Sequence, residues 1–301
     1  MGCALRWGIP IVVVLVAIAY AGVSYLIASG VTRAERKEQK DHPSLHGLQF
    51  EDVQFVSRRG DVNLSGWYIP GPPQGPTLIF VHGIDSTRSG DNALDLAARL
   101  VARGFSVLMF DLRAHGSSEG EKASGGYHER YDVLGAFDFL VKRGVQPERI
   151  GVLGFSMGAG TSVLALAEEP RIRALAADSP YANAADLITQ ETARKTVFPK
   201  WMVPAFIPGA KLAARLVFDI DLSALTPERA VKRLDFPILV IHGTEDKRIP
   251  VEHGVRVHLA AHRESVLWLA PGVEHVDAFL TYPEDYVNRV AAYFEGRLAA
   301  Q

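Results

Sequence analysis

The chain has 301 residues, 48% of them apolar and 22% charged, a composition that excludes a disordered, collagenous or low-complexity protein. Its 32 Lys plus Arg against 34 Asp plus Glu give a net charge of -2, without the basic footprint that nucleic-acid binding needs. The lone cysteine, Cys3, can neither close an intrachain disulfide nor build a thiolate zinc cage, and the pattern calls for no metal or cofactor.

No residue from Trp7 through Thr32 is charged, and the run from Ile9 to Ala28 is almost unbroken Ile, Val, Leu and Ala. At about 1.5 Å per residue such a helix is roughly 30 Å long, the thickness of a bilayer's hydrocarbon core. Residues 1–30 therefore read as a single-pass membrane anchor with Trp7 at the interface. The rival is a signal peptide, for which Ala19, Tyr20 and Ala21 supply a small-x-small cleavage pattern. The run continues past that point through Val23, Tyr25, Leu26 and Ile27, which favours retention. Gly2 and Cys3 invite a lipidation reading, but Arg6 stands where a myristoylation signal has Ser or Thr. Arg33, Arg36, Lys37 and Lys40 outnumber Arg6, which by the positive-inside rule puts the C-terminal side in the cytoplasm, although the side of the membrane stays open. Residues 31–48 are expected to form a charged, solvated stalk, and residues 49–301 one α/β domain.

Residues 53–56 and 62–69 flank Arg58, Arg59, Gly60 and Asp61 and predict an antiparallel hairpin. Beyond the Pro- and Gly-rich stretch 70–76, short apolar runs at 77–81, 106–110, 150–155, 172–177, 238–241 and 266–269 alternate with helical stretches. The latter fall at 94–102, 131–142, 161–167, 251–261 and 286–298. Apolar runs of this kind are buried on both faces, so the alternation predicts a doubly wound, mostly parallel sheet. Residues 181–233 break the rhythm and are too long for an ordinary connection. They are expected to form an inserted cap over the carboxyl edge of the sheet, split into short helices by Pro199, Pro204 and Pro208. Phe198, Trp201, Met202 and Phe206 would line its substrate pocket. A displaced crossover helix is the alternative.

The sharpest motif is Gly154-Phe155-Ser156-Met157-Gly158, between a predicted strand and a small-residue helix. A nucleophile elbow needs this pattern, because glycines two residues either side of a serine in a tight turn remove side chains that would strike the flanking strand and helix. A phosphate cradle would need G-x-G-x-x-G or a Lys-Ser/Thr pair, and neither is present. The serine needs a base and the base an orienting acid. His275 follows the last predicted strand and Asp246 the one before it, both at the carboxyl edge where sites of such sheets gather. The order Ser156, Asp246, His275 suits this architecture. Asp178 is a second candidate acid and Glu245 a weaker one. The amides of Met157 and Ile84 are the expected oxyanion donors. His82 reads as a residue bracing its loop, and the Asp111 to Ser118 stretch as a hydrogen-bonded turn. His258 and His262 have the spacing of a zinc pair but lack the intervening Glu, and read as a solvated face.

His82-Gly83, the Asp111 to Gly120 stretch, the elbow at Ser156, the Gly243 to Pro250 loop and the Gly272 to His275 loop, in this order, resemble the α/β-hydrolase superfamily, in particular its esterase, lipase and serine-aminopeptidase-like branch. The resemblance implies the α/β-hydrolase fold over residues 53–298. It also implies attack of Ser156 on an ester or amide carbonyl and an acyl-enzyme that water cleaves. Esters are the easier substrates, and an apolar cap beside an anchor suits a lipophilic acyl group, so a carboxylesterase or lipase leads and a peptidase follows. A non-catalytic binding or scaffold protein of the same fold is the reading from another class. The expected partners are a small-molecule or lipid-like acyl substrate and the membrane, with no nucleic acid.

Overall fold

In a computed structural model that describes residues 2–195, 199 and 201–298, eight strands form one sheet. They are β1 (Glu51–Val56), β2 (Asn63–Ile69), β3 (Thr77–Val81), β4 (Ser106–Phe110), β5 (Ile150–Phe155), β6 (Leu175–Asp178), β7 (Leu239–Gly243) and β8 (Val266–Ala270). Their spatial order is β1-β2-β4-β3-β5-β6-β7-β8. The first two pairings, β1 with β2 and β2 with β4, are antiparallel, and all others are parallel. The helices are α1 (Gly2–Thr32), α2 (Ala93–Ala102), α3 (Glu129–Lys142), α4 (Met157–Leu166), α5 (Ala184–Lys195), α6 (Val203–Phe218), α7 (Pro227–Ala230), α8 (Glu252–Ala260), α9 (Ala278–Thr281) and α10 (Pro283–Leu298).

Every residue of β3 through β7 is buried, which is why these strands read as continuous apolar runs in the sequence. The edge strands β1 and β8 alternate between buried and exposed positions instead. Leu78 and Phe80 of β3 enter one core with Leu94, Leu96 and Leu100 of α2 and Val290, Phe294 and Leu298 of α10. Ile79 and Val81 are equally buried and by strand alternation face the other side of the sheet. Several boundaries shift by one to four residues from the sequence reading. Strand β6 starts at Leu175, three residues later than expected. Helix α4 starts at Met157 rather than 161, because packing carries it through glycines whose intrinsic propensity argues against a helix.

The chain divides into two compact units. One is the sheet with its helices, Ala34–Asn183 and Leu225–Gln301; the other joins Met1–Arg33 to Ala184–Ala224, a narrower insertion than 181–233. In the second unit α1 packs on α6. The Tyr20 ring stacks on Phe206 at 5.3 Å and the Tyr25 ring on Phe218 at 5.8 Å. The Tyr20 hydroxyl donates to the Ala205 carbonyl at 3.1 Å and accepts from the Gly209 amide at 3.2 Å. Of the three prolines expected to split this segment only Pro199 falls between helices, in the interval from α5 to α6, and α6 runs through Pro208 without interruption. Pro204 sits in its first turn, where a missing N–H costs nothing, and the Tyr20 hydroxyl supplies partners beside the turn that Pro208 disturbs.

The stalk is not a free tether. Residues 35–39 are hydrogen-bonded to loops of the sheet unit, where the Arg36 guanidinium donates to the carbonyls of Gly116 (2.6 Å), Ser118 (2.7 Å) and Gly120 (2.9 Å). Gln39 donates to both oxygens of the buried Asp111 at 2.8 and 3.0 Å and accepts from Ser89. The charge of Arg36 is therefore spent on loop carbonyls, which a count of charges along the chain does not reveal. Hydrogen bonds from a charged donor contribute roughly 1.5–3 kcal/mol each where they are sheltered, and less at an exposed site such as this one. Arg36→Ala should accelerate amide hydrogen exchange over residues 114–120 in the otherwise folded protein, and unchanged exchange there would remove the clamp.

Candidate active site

Ser156 occupies the turn between β5 and α4 with φ 54° and ψ -120°, a conformation that costs a non-glycine residue about 1–3 kcal/mol. The turn is held from several sides. The Ser156 amide donates to the Asp178 carbonyl at 2.8 Å, and its carbonyl accepts from the Ala159 amide at 3.0 Å. A side chain at Gly158 would overlap the Val81 and His82 carbonyls, and one at Gly154 would come within 2.7 Å of the Ala159 Cα. These contacts give the physical reason for the glycine spacing read in the sequence.

Three side chains meet in a hydrogen-bonded line. His275 Nε2 lies 2.8 Å from Ser156 Oγ, and His275 Nδ1 lies 2.6 Å from Asp246 Oδ2. The ring nitrogen facing the carboxylate is thus the donor, which leaves Nε2 to accept from the serine hydroxyl. The other oxygen of Asp246 accepts from the amides of Arg248 (2.9 Å) and Ile249 (2.8 Å). His242, fully buried, donates from Nε2 to the Ile249 carbonyl and stands 3.4 Å from Asp246 Oδ2. Burial alone would raise the Asp246 carboxyl, but the hydrogen bonds from His242, His275 and the backbone outweigh it and hold the group well below the ordinary carboxylate range. Asp246 is therefore a charged acceptor. The supporting part played by His242 was not drawn from the sequence, although it stands four residues before Asp246.

Asp178 ends β6 at the same sheet edge but bonds elsewhere. It accepts from the Tyr286 hydroxyl and the Ser179 hydroxyl, each at 2.9 Å, and burial pushes it up to about 6 against those hydrogen bonds. Glu245 is exposed. The two carboxylates that the sequence left in competition are thus distinguished by their surroundings.

On the other side of Ser156 the backbone of the loop after β3 comes close. A Cβ on Gly83 would lie 3.1 Å from the Ser156 Cβ and 3.5 Å from Oγ, which shows how near the backbone after β3 runs to the serine. Met157 is the first residue of α4, and its amide has no intrahelical acceptor. His82 braces the loop by donating from Nδ1 to the Gly83 carbonyl at 2.7 Å and accepting the Leu112 amide on Nε2 at 3.0 Å. Complete burial, reinforced by the nearby His115, lowers its pKa to about 4 and keeps it neutral. The Asp111 stretch is a hydrogen-bonded turn in which Asp111 accepts the Arg88 and Ser117 amides.

Three of the four residues expected to line an acyl pocket are described. Phe198 lies outside the described residues. Trp201 is 79% exposed, Met202 is half-buried, and the Phe206 ring is engaged by Tyr20. Their apolar character showed that they would cover or be covered by something, but their partners depend on how α1 folds back. His258 and His262 do not share a helix, since α8 stops at Ala260, and both are half-buried instead of solvated. Among the described residues no cluster of His, Cys, Asp and Glu could hold a metal ion.

Residues 76–212 match the family described as the alpha/beta hydrolase fold, and the sheet order and elbow are those of that fold, which the chain has. Its similarity to other proteins extends to sequence. It is 28% identical over 199 residues to the lysophosphatidylserine lipase ABHD12 of Danio rerio, a match covering 64% of this chain and 49% of that protein. It is 29% identical over 250 residues to YfhR of Escherichia coli O157:H7, covering 79% of each. The structure of the Pyrococcus furiosus esterase Pf2001 superposes with a TM-score of 0.71 at 25% identity, covering 89% of this chain and 100% of that one. The family match, the esterase and the lipase support a hydrolase.

The Asp178 carboxyl titrates near 6 in the fold and at its ordinary 3.8 when unfolded. The folded state therefore keeps a proton that the unfolded chain releases, and this contribution to stability is present below about pH 4, lost as pH rises to about 6 and absent above. The isosteric, uncharged Asp178→Asn has no such loss. In urea titrations its stability relative to wild type should rise by on the order of 2–3 kcal/mol between pH 3.5 and pH 7. A difference that does not vary with pH would contradict this assignment.

Proposed function

We propose that this protein is a membrane-anchored serine hydrolase that cleaves carboxylic esters. The observation that carries the reading is the line Ser156 Oγ, His275 Nε2, His275 Nδ1, Asp246, with contacts of 2.8 and 2.6 Å, ending on a buried, charged carboxylate. Ser156 Oγ attacks the ester carbonyl carbon while its proton passes to His275 Nε2. The charge on the resulting oxyanion is met by the amides of Met157 and Ile84. Asp246 keeps the imidazole in the useful tautomer and stabilises it once it carries two protons. The carbon–oxygen bond to the leaving group then breaks, and His275 returns the proton to the departing alkoxide. Water, deprotonated by the same nitrogen, attacks the acyl-enzyme and releases the acid and free Ser156.

The esterase Pf2001 and the lysophosphatidylserine lipase are relatives whose substrates are esters, which supports an ester over an amide. The apolar helix α1, with residues 9–30 long and apolar enough to cross a membrane at a mean hydropathy of 2.5, supports an anchor and a lipophilic acyl group.

A fluorophosphonate probe should label the wild-type chain and not Ser156→Ala. Ser156→Ala and His275→Ala should each lower kcat by about 10⁴-fold or more, with the double variant scarcely worse, because the residues act as one unit. Asp246→Asn should be far more damaging than Asp178→Asn. Turnover by purified Ser156→Ala near the wild-type rate defeats the assignment. Across nitrophenyl esters from acetate to laurate and matched anilides, faster cleavage of an anilide than of every ester replaces the esterase with a peptidase.

A further inference from the structure

Helix α1 does not have its whole length available to lipid. One face of its C-terminal half packs on α6, through Tyr20 on Phe206, Ala205 and Gly209 and through Tyr25 on Phe218. At Gly209 the two helices are so close that any side chain there would overlap Ser24. Small residues that let helix backbones approach are a means by which helices associate within bilayers. Ahead of these contacts, residues 9–19 extend about 16 Å, roughly half of a hydrocarbon core of about 30 Å. A span that includes residues 20–30 therefore carries α6 into the apolar layer with it.

The outer face of α6 has the composition this requires. Running on from Trp201, the residues Pro204, Pro208, Leu212 and Leu216 recur every three or four positions and fall in one stripe along the helix. All five are exposed, with Trp201 at 79%, Leu212 at 59% and Leu216 at 74%. A helix in water turns its bulky apolar residues inward; α6 buries Val203, Ala210 and Ala214 and turns its leucines out. Arg215 lies beside the stripe, with a stem long enough to lie along apolar surface and bring its charge to lipid headgroups.

We propose that α6 is a second membrane-contacting element: it lies in the bilayer beside the C-terminal half of α1 and presents Trp201, Leu212 and Leu216 to lipid. The inference rests on the anchoring that the proposed function assigns to α1, and it adds a lipid-facing role for the insertion. The occupant is a bilayer because α1, on which α6 packs, is itself apolar and exposed from Ile9 through Ile18, the stretch that the proposed anchor places in lipid.

The test uses the full chain with Cys3→Ser, which removes the only cysteine, and single cysteines at Leu212 or Leu216 carrying an environment-sensitive nitrobenzoxadiazole label. Val13→Cys reports on the anchor, and Lys247→Cys, on a side chain 80% exposed in the sheet unit, reports on water. In phosphatidylcholine and phosphatidylglycerol vesicles, labels at 212 and 216 should emit to the blue of the label at 247. They should also be quenched several-fold more strongly by lipids bearing a nitroxide on the acyl chain. Labels at 212 and 216 that match 247 in emission and in iodide quenching, while 13 stays in lipid, overturn the role of α6 and leave the anchor standing. If 13 is also in water, the anchor falls with it. A blue shift without nitroxide quenching, accompanied by self-quenching that grows with protein density, overturns the proposal in favour of contact with a second copy of the chain.

Discussion

The close approach of three backbone segments around Ser156 governs the site. The serine turn is strained, and it persists because β5 is buried at every position and hydrogen-bonded on both sides, to β3 and to β6. The register of those pairings sets Val81 opposite Gly154 and Asp178 opposite Phe155, so the loops that follow β3 and β6 flank the elbow. Next along the sheet, Gly243 of β7 pairs with Ala270 of β8, and the chain beyond these ends carries Asp246 and His275 to the same edge. A one-residue slip in any of these ladders would turn a strand's side chains to the wrong face and move its loop away from Ser156.

The two buried aspartates at this edge show how surroundings assign roles to identical side chains. Asp246 has two backbone amides and His275 for its oxygens, with His242 close behind, and these keep it charged despite burial. Asp178 has two neutral hydroxyls, from Tyr286 and Ser179, and these offset only part of the burial that raises it. A carboxylate that orients an imidazole and stabilises its cation has to be ionised, so the surroundings of Asp246 suit that work and those of Asp178 suit a structural link to α10.

The unit formed by α1, α5 and α6 follows a different logic from that of the sheet. The sheet unit buries most of its large apolar residues, whereas α1 and α6 leave many of theirs exposed and meet through Tyr20, Ser24 and Gly209, contacts that combine close approach with hydrogen bonding. The stalk leaving α1 is pinned to carbonyls of the loop between β4 and α3 by Arg36, and to Asp111 by Gln39.

The sequence by itself determined what depends on local pattern. Apolar runs long enough for buried strands, spaced by helix-length segments, gave the parallel sheet, since a strand covered on both faces has no polar positions. The Gly-x-Ser-x-Gly motif identified the turn, because only that spacing leaves room for a serine between strand and helix, and the positions of Asp246 and His275 after successive strands followed from chain order. Tertiary structure alone decided what depends on partners distant in the chain. Asp178 and Asp246 both end up at the carboxyl edge of the sheet, and nothing in their sequence neighbours says which will meet an imidazole and which a tyrosine from α10. Arg36 reads as one more solvated charge until the carbonyls of Gly116 and Ser118, remote in sequence, converge on it. Phe206 reads as a pocket wall until Tyr20, far earlier in the chain, stacks on it. Local pattern records how far a side chain must be withdrawn from water, whereas the identity of its neighbour is fixed only when the chain closes on itself.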